Sequence, residues 1–279
     1  MAVGMSENKE LRMRKVGLLA GVGRLPVEFA RAASGMGIAV IAVVVAPGVD
    51  PELTLVAAKT YTISIGELSR IIETLKEENV QEVTMLGKVT KELLFSGAVV
   101  PDGRMQRLLV GLKDYNDDTL MLAFVRELAA EGIGVLDQTA LIRALMPMPG
   151  VLTSRKPTTN EQEDMDYGYK MAKEIGGLDI GQTVVVKDRA VMAVEAIEGT
   201  DECIRRGARL ARGGAVVAKV AKPNQDMRFD VPGVGPDTIR AMLEGEATAL
   251  VIEAGKTLLA ERDKVLSLAN EHGITIVAK

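Results

Sequence analysis

Residues 38–45 read IAVIAVVV. The run is apolar throughout and rich in β-branched side chains, so it has no polar face to turn toward water. A strand buried on both faces fits such a run, and strands of that kind belong to parallel sheets covered by helices on each side. The neighbouring segments fit the same scheme. KVGLLAG (15–21) is a short apolar strand closed by glycine. LPVEFARAASGMG (25–37) has helical spacing, with Leu25, Phe29 and Ala33 on one face. KTYTISI (59–65) is a more polar, peripheral strand, ELSRIIETLKEEN (67–79) an amphipathic helix, and EVTMLGKV (82–89) another strand. Residues 105–132 read as one or two helices, and IGVLDQT (133–139) as a further strand. The alternation predicts an α/β, Rossmann-like parallel sheet.

MPMPGVLTSRKPTTN (146–160) breaks the pattern with three prolines and a glycine. A domain boundary is placed here, near Gly150. The chain then divides into an N-terminal extension over 1–14, a Rossmann-like domain over 15–150 and a C-terminal α/β domain over 151–279. In the second part a helix runs from Glu161, with Thr159 and Gln162 at capping-box spacing. Strands are expected at QTVVVKD (182–188), AVMAVEAIE (190–198), AVVAKVA (215–221), ALVIEAG (249–255) and ITIVAK (274–279). Helices are expected at DECIRRGARLARG (201–213), DTIRAMLEGEA (237–247) and TLLAERDKVLSLANEHG (257–273). Two α/β domains with a ligand cleft between them is the economical reading.

Composition removes several function classes. The net charge is -4 and there is no Trp, which counts against a general nucleic-acid binder. The single Cys203 excludes an internal disulfide and a multi-cysteine zinc site, and reads as a helix residue without a special role. The single His272 stands where a helix hands over to a strand, a capping or surface position, so a Ser-His-Asp triad has little support. The amino terminus does not read as a signal peptide, and no apolar run is long enough to span a bilayer as a helix.

Four stretches carry chemistry. LAGVGRLP (19–26) sets Gly21 and Gly23 before a helix, where backbone N–H groups welcome an anion. A dinucleotide fingerprint would need a third glycine where Pro26 stands, and an acid after the second strand, which ends VVVAPG. A plain tight turn and a phosphate site of another type both stay open. SRKPTTNEQED (154–164) places Arg155, Lys156 and Thr158 at a helix start, as a phosphate clamp or a solvated linker. AVEAIEGTD (193–201) puts Glu195 inside an apolar strand and Glu198 at its end, while Thr200 or Asp201 caps the next helix. A carboxylate in an apolar strand is costly unless paired or bound to a cation. KVAKPNQDMRFDVPGVGPDT (219–238) carries Lys219, Lys222, Asp226, Arg228 and Asp230 on a loop stiffened by Pro223, Pro232 and Pro236. Such a mixture is either a structural ion-pair network or a phosphate-plus-metal site. Mg²⁺ is commonly held by one or two carboxylates together with substrate phosphate oxygens.

Taken together, LAGVGRLP, LTSRKPT, GQTVVVKDRAVMAVEAIEGTD and VAKPNQDMRFDVPGVGPDT resemble the LpxI-type UDP-2,3-diacylglucosamine pyrophosphatases. The resemblance runs in order from about Lys15 to the C-terminus. It implies a two-domain, dimeric, Mg²⁺-dependent enzyme of lipid A biosynthesis. That enzyme would be cytoplasmic, with peripheral contact to the inner membrane through its amphipathic substrate. The reaction implied is hydrolysis of UDP-2,3-diacylglucosamine to UMP and 2,3-diacylglucosamine 1-phosphate (lipid X), with water attacking the α-phosphorus. The family's key acid falls on Asp226, as a metal ligand or as the group that orients water. Glu195 and Glu198 are then candidate carboxylates at the metal. Lys219, Lys222 and Arg228 would neutralise the diphosphate, with Asp230 holding Arg228. Gly21 and Gly23 would pass backbone N–H groups to the nucleotide or sugar. Arg155, Thr158 and Thr200 complete the expected substrate contacts. The competing readings are a non-catalytic module that binds a nucleotide-sugar lipid and, on the N-terminal fold alone, a dinucleotide-dependent oxidoreductase.

Overall fold

The computed structural model describes residues 14–89, 99–114 and 117–279. All of the extension expected over 1–14 except Arg14 lies outside the described residues. The chain forms two compact units, Met1–Leu136 and Asp137–Lys279.

The first unit contains β1 (Lys15–Ala20), α1 (Leu25–Gly35), β2 (Ala39–Val44), α2 (Leu53–Val56), β3 (Lys59–Thr62), α3 (Leu68–Glu77), β4 (Glu82–Leu86), α4 (Gly103–Val110), α5 (Asp117–Ala130) and β5 (Gly134–Val135). Its strands pair in the order β3-β2-β1-β4-β5, all parallel. That is the start of the doubly wound order, which reverses direction between β1 and β4. Strand β2 is buried along nearly its whole length, as IAVIAVVV requires. Helix α1 turns Val27, Phe29, Ala30 and Ala33 inward, and α3 turns Leu68, Ile71, Ile72 and Leu75. The polar strand β3 lies at the sheet edge, where its partly exposed side chains cost little.

The second unit contains β6 (Gly150–Val151), α6 (Thr159–Gly177), β7 (Thr183–Lys187), β8 (Ala190–Val194), α7 (Thr200–Ala211), β9 (Val216–Lys219), β10 (Gly233–Val234), α8 (Pro236–Glu244), β11 (Ala249–Ile252), β12 (Leu258–Leu259), α9 (Arg262–Glu271) and β13 (Thr275–Ala278). Its main sheet runs β6-β13-β11-β9-β7-β8. The centre, β13-β11-β9, is parallel; β7 runs antiparallel to both β9 and β8. Alternate strand residues feed two cores. Val185, Val217, Leu250 and Ile276 pack on the face shared with Cys203 and Ile204 of α7 and with Ile239 and Met242 of α8. Val184, Val186, Val216, Ala218 and Val251 pack on the other face with Met165 and Ala172 of α6. Close approach on the first face depends on Gly207, where a Cβ would stand 2.7 Å from Val185 Cγ2.

Three local expectations change. The capping box is Thr158 with Glu161, not Thr159 with Gln162: the Thr158 hydroxyl accepts from Glu161 N, and the Glu161 carboxylate accepts from Thr158 N. Residues 257–273 are not one helix. Leu258 and Leu259 pair with Gly233 and Val234, and Glu261 then takes a left-handed φ of 51° before α9 begins. The pairing is non-local, so the 3.6-residue pattern could not show it. Strand β8 ends at Val194, so Glu195 follows the strand and Ile197 stands in solvent.

Candidate active site

The parallel centre of the second unit finishes at Lys219 on β9, beside Ile252 on β11 and Thr183 on β7. Ligands in α/β sheets gather outside such carboxyl ends. Lys219 and Thr183 stand opposite each other and face α7, because Val217 and Val185, two residues back, belong to the core on that side. Helix α7 begins just after Gly199, whose φ of 82° suits only glycine there.

A chain of hydrogen bonds joins the strand end to the helix start. Lys219 Nζ donates to Thr200 Oγ1 at 2.9 Å, and that hydroxyl donates to Glu195 Oε1 at 2.8 Å. The other oxygen of Glu195 accepts from Gln182 N at 3.3 Å. Lys219 and Glu195 are both buried, with 7% and 8% of their surface exposed. Burial pushes the Lys219 ammonium below its ordinary value, and the charges of Glu195, Asp201 and Asp230 pull it partly back. Lysine is rarely buried unless paired, and here Thr200 and Glu195 supply the partners.

The loop that leaves β9 carries the remaining charges. Arg228 grips Asp226 with Nε at 2.9 Å and Nη2 at 2.6 Å, and its own backbone N–H donates to the same carboxylate at 3.0 Å. This fork holds the Asp226 carboxyl below the usual carboxylate range. Lys222 Nζ donates to Asp179 at 2.7 Å and lies 3.8 Å from Asp230. Asp230 therefore neighbours Lys222. Backbone turns fold the loop on itself, with Phe229 N and Asp230 N both donating to Asp226 O. Gln138 fixes its far end: Val231 N donates to Gln138 Oε1, and Gln138 N donates to Met227 O.

Other expected site residues are placed elsewhere. Glu198 turns away from Glu195 and pairs with Arg206 of α7, so Glu195, Glu198 and Asp226 do not form one carboxylate cluster. No group of three or more metal-ligating side chains occurs among the described residues. Arg155 forms a two-pronged pair with Glu161 and bonds Thr275 Oγ1. Thr275 begins β13, level with Ala249 and Val216, so Arg155 and Thr158 sit at the opposite end of the sheet from Lys219. In the first unit, Gly21 does not offer its N–H to a ligand, since it donates to Leu86 O at 2.8 Å. Gly21 is small because Gly87 lies against it, where a Cβ would stand 2.8 Å from the Gly87 carbonyl. Val22 and Lys88 then bridge, so β1 and β4 do not splay apart as a dinucleotide crevice requires. Gly23, with φ 118° and open space around it, keeps an accessible backbone.

Comparison with known protein families covers nearly the whole chain. The LpxI N-terminal domain family matches residues 15–145, and the LpxI C-terminal domain family matches residues 148–277. The chain belongs to the LpxI family. The UDP-2,3-diacylglucosamine pyrophosphatase LpxI of Caulobacter vibrioides is 33% identical over 276 residues, covering 95% of this chain and 97% of that protein. A bifunctional purine biosynthesis protein, PurH of Bradyrhizobium diazoefficiens, is 30% identical over 131 residues, 46% of this LpxI-family chain and only 24% of that protein. Among solved structures, an ADP complex of N5-carboxyaminoimidazole ribonucleotide synthetase aligns at 17% identity and a TM-score of 0.29. It covers 62% of this chain, which spans about a third (32%) of that protein. The likeness is too slight to bear on function.

Sequence reasoning missed Asp179, Gln182 and Gln138, which hold Lys222, Glu195 and the loop end. It also missed Lys173 and Glu253, which bond the backbone where the loop begins. Glu253 was visible in principle, as an acid directly after the apolar strand ALVI.

Proposed function

We propose that this chain hydrolyses the diphosphate of UDP-2,3-diacylglucosamine to UMP and lipid X, with Mg²⁺. The reading rests on one observation above the rest. Lys219, Lys222, Asp226, Arg228 and Asp230 occupy one strand end and the pinned loop that leaves it, with Lys219 bonded to Thr200 at the start of α7. Family membership supports the substrate.

Water oxygen bonds to the uridine-side phosphorus. The bond from that phosphorus to the bridging oxygen breaks, its electron pair leaving with the sugar 1-phosphate, and one water proton is released to solvent. Negative charge grows on the leaving phosphate, so preorganised cations supply the largest stabilisation. Lys222 and Arg228 provide it from the loop, and Lys219 from beneath, aimed by Thr200 and Glu195. Asp226 is held ionised by Arg228, which makes it a weak base and a good ligand or water-orienting acceptor. Asp226 is the protein carboxylate that would hold Mg²⁺ together with substrate phosphate oxygens and water, which suits an ion that takes few protein ligands. When bound, the ion would neutralise phosphate oxygens. A lipid substrate with two acyl chains would bring the enzyme into peripheral contact with the inner membrane from the cytoplasmic side, and a homodimer completes the proposal. No helix of the described residues is long and apolar enough to cross a membrane.

Asp226→Ala tests the reading. The variant should keep its fold and bind the lipid nucleotide while losing roughly 10²–10³-fold in kcat, as expected for one electrostatic group at the reacting centre. Turnover near the wild-type rate would reject the assignment.

A further inference from the structure

One half-buried ion pair stands beside the site without contacting any group given a role in it. Lys173 of α6 and Glu253, just past β11, are 80 residues apart in sequence and 3.0 Å apart in space. Both reach the same peptide segment. Glu253 Oε2 accepts from Ala221 N at 2.9 Å, and Lys173 Nζ donates to Ala221 O at 2.8 Å. Ala221 is fully buried, and Lys222 follows it.

The need for this clamp follows from the strand geometry. The ladders of β9 with β11 and with β7 end at Lys219, and Val220 N makes a last bond to Gln182 O. Beyond that point neither neighbouring strand supplies a partner for the next buried N–H and C=O. Buried backbone groups need partners, and here two side chains supply both. Lys256 secures the other oxygen of Glu253 at 3.0 Å. Glu253 stays ionised: burial pushes its carboxyl up, but Lys173, Lys256 and the Ala221 N–H hold it below the ordinary value. Gly176 of α6 lies against the same turn, where a Cβ would stand 3.5 Å from Lys222 Cα.

We propose that Lys173 and Glu253 are positioning residues that fix where the Lys222–Asp230 loop leaves the sheet, and so aim its charges at the diphosphate. This deepens the proposed hydrolysis and rests on it for its kinetic readout. The pair touches no substrate; it acts through the Ala221 backbone.

Three variants separate positioning from plain stabilisation. Glu253→Ala removes the acceptor, Lys173→Met removes the donor, and Glu253→Gln keeps an acceptor oxygen while dropping the charge. Each is assayed for UDP-2,3-diacylglucosamine hydrolysis well below its melting temperature, and for amide hydrogen exchange over residues 221–230. Glu253→Ala and Lys173→Met should lose roughly tenfold or more in kcat, with less change in KM, since misplacing a reacting group by an ångström costs about that or more. Glu253→Gln should recover part of the loss. In an Asp226→Ala background, Glu253→Ala should add much less than its single effect, because both act through one loop. Exchange should quicken at 221–230 and not across the central strands. A fall in Tm with kcat and loop exchange unchanged would overturn the proposal. If the wild-type chain shows no hydrolysis, the proposed function fails, and loop exchange alone then decides whether the clamp exists.

Discussion

Gly181→Ala probes the buried arm of the site through a single methyl group. Gly181 precedes Gln182, whose N–H bonds Glu195. A Cβ at Gly181 would stand 2.8 Å from the Glu195 carbonyl carbon and closer still to its oxygen. Both atoms are backbone, so no side-chain rotation relieves the overlap. Reaching ordinary contact distance with the oxygen needs a displacement of about 1 Å or more. The shift falls on Glu195, whose carboxylate holds Thr200 at 2.8 Å, and through Thr200 on Lys219 at 2.9 Å. Overpacking of this kind costs about 1–3 kcal/mol. In a protein of this size each kcal/mol lowers Tm by roughly 2–4 °C. Misplacement by nearly an ångström should lower kcat by roughly 10–100-fold. The assay pairs a thermal melt with steady-state hydrolysis of UDP-2,3-diacylglucosamine at a temperature where the variant is folded. Gly35→Ala is the control, because a Cβ there meets nothing within 4 Å, and its melt should match or slightly exceed the wild type. Wild-type turnover and melting for Gly181→Ala would refute the placement of Glu195 and the role given to it.

Two further outcomes follow from the same geometry. Arg228→Gln removes the main cause that holds the Asp226 carboxyl down. A carboxyl with a depressed folded pKa contributes stability above its unfolded value and loses it as pH falls through the folded one. The variant should therefore show an acid limb of kcat/KM shifted to higher pH, with its stability deficit present at neutral pH and fading in acid. An unmoved acid limb would detach Asp226 from the pH profile. Cys203 is buried among apolar side chains, and that burial pushes its thiol up to about 12. Native protein at pH 8 should resist iodoacetamide and react fully once unfolded, as mass spectrometry would show; ready alkylation of the native thiol would contradict its burial.

The legible parts of the fold were those set by local pattern. IAVIAVVV announced a strand covered on both faces, and KTYTISI announced an edge strand. Leu258 and Leu259 were illegible as a strand because their partners, Gly233 and Val234, are distant in sequence. Within the site, residue types along 219–230 pointed to cations and carboxylates in one place, and Lys219 does reach Thr200. The pairings themselves depend on where each side chain turns. Glu195 and Glu198 are three residues apart, yet one bonds Thr200 and the other Arg206. Arg155 carried a phosphate-binding expectation that its local partner, Glu161, absorbs. Lys173 and Glu253 meet only because α6 packs over the sheet.

Turnover of UDP-2,3-diacylglucosamine in ¹⁸O-labelled water, with and without Mg²⁺, tests the central claim most directly. The expected result is Mg²⁺-dependent release of UMP that carries the label, with unlabelled lipid X. Label in lipid X would contradict attack at the uridine-side phosphorus, and absence of UMP under both conditions would contradict the hydrolysis itself.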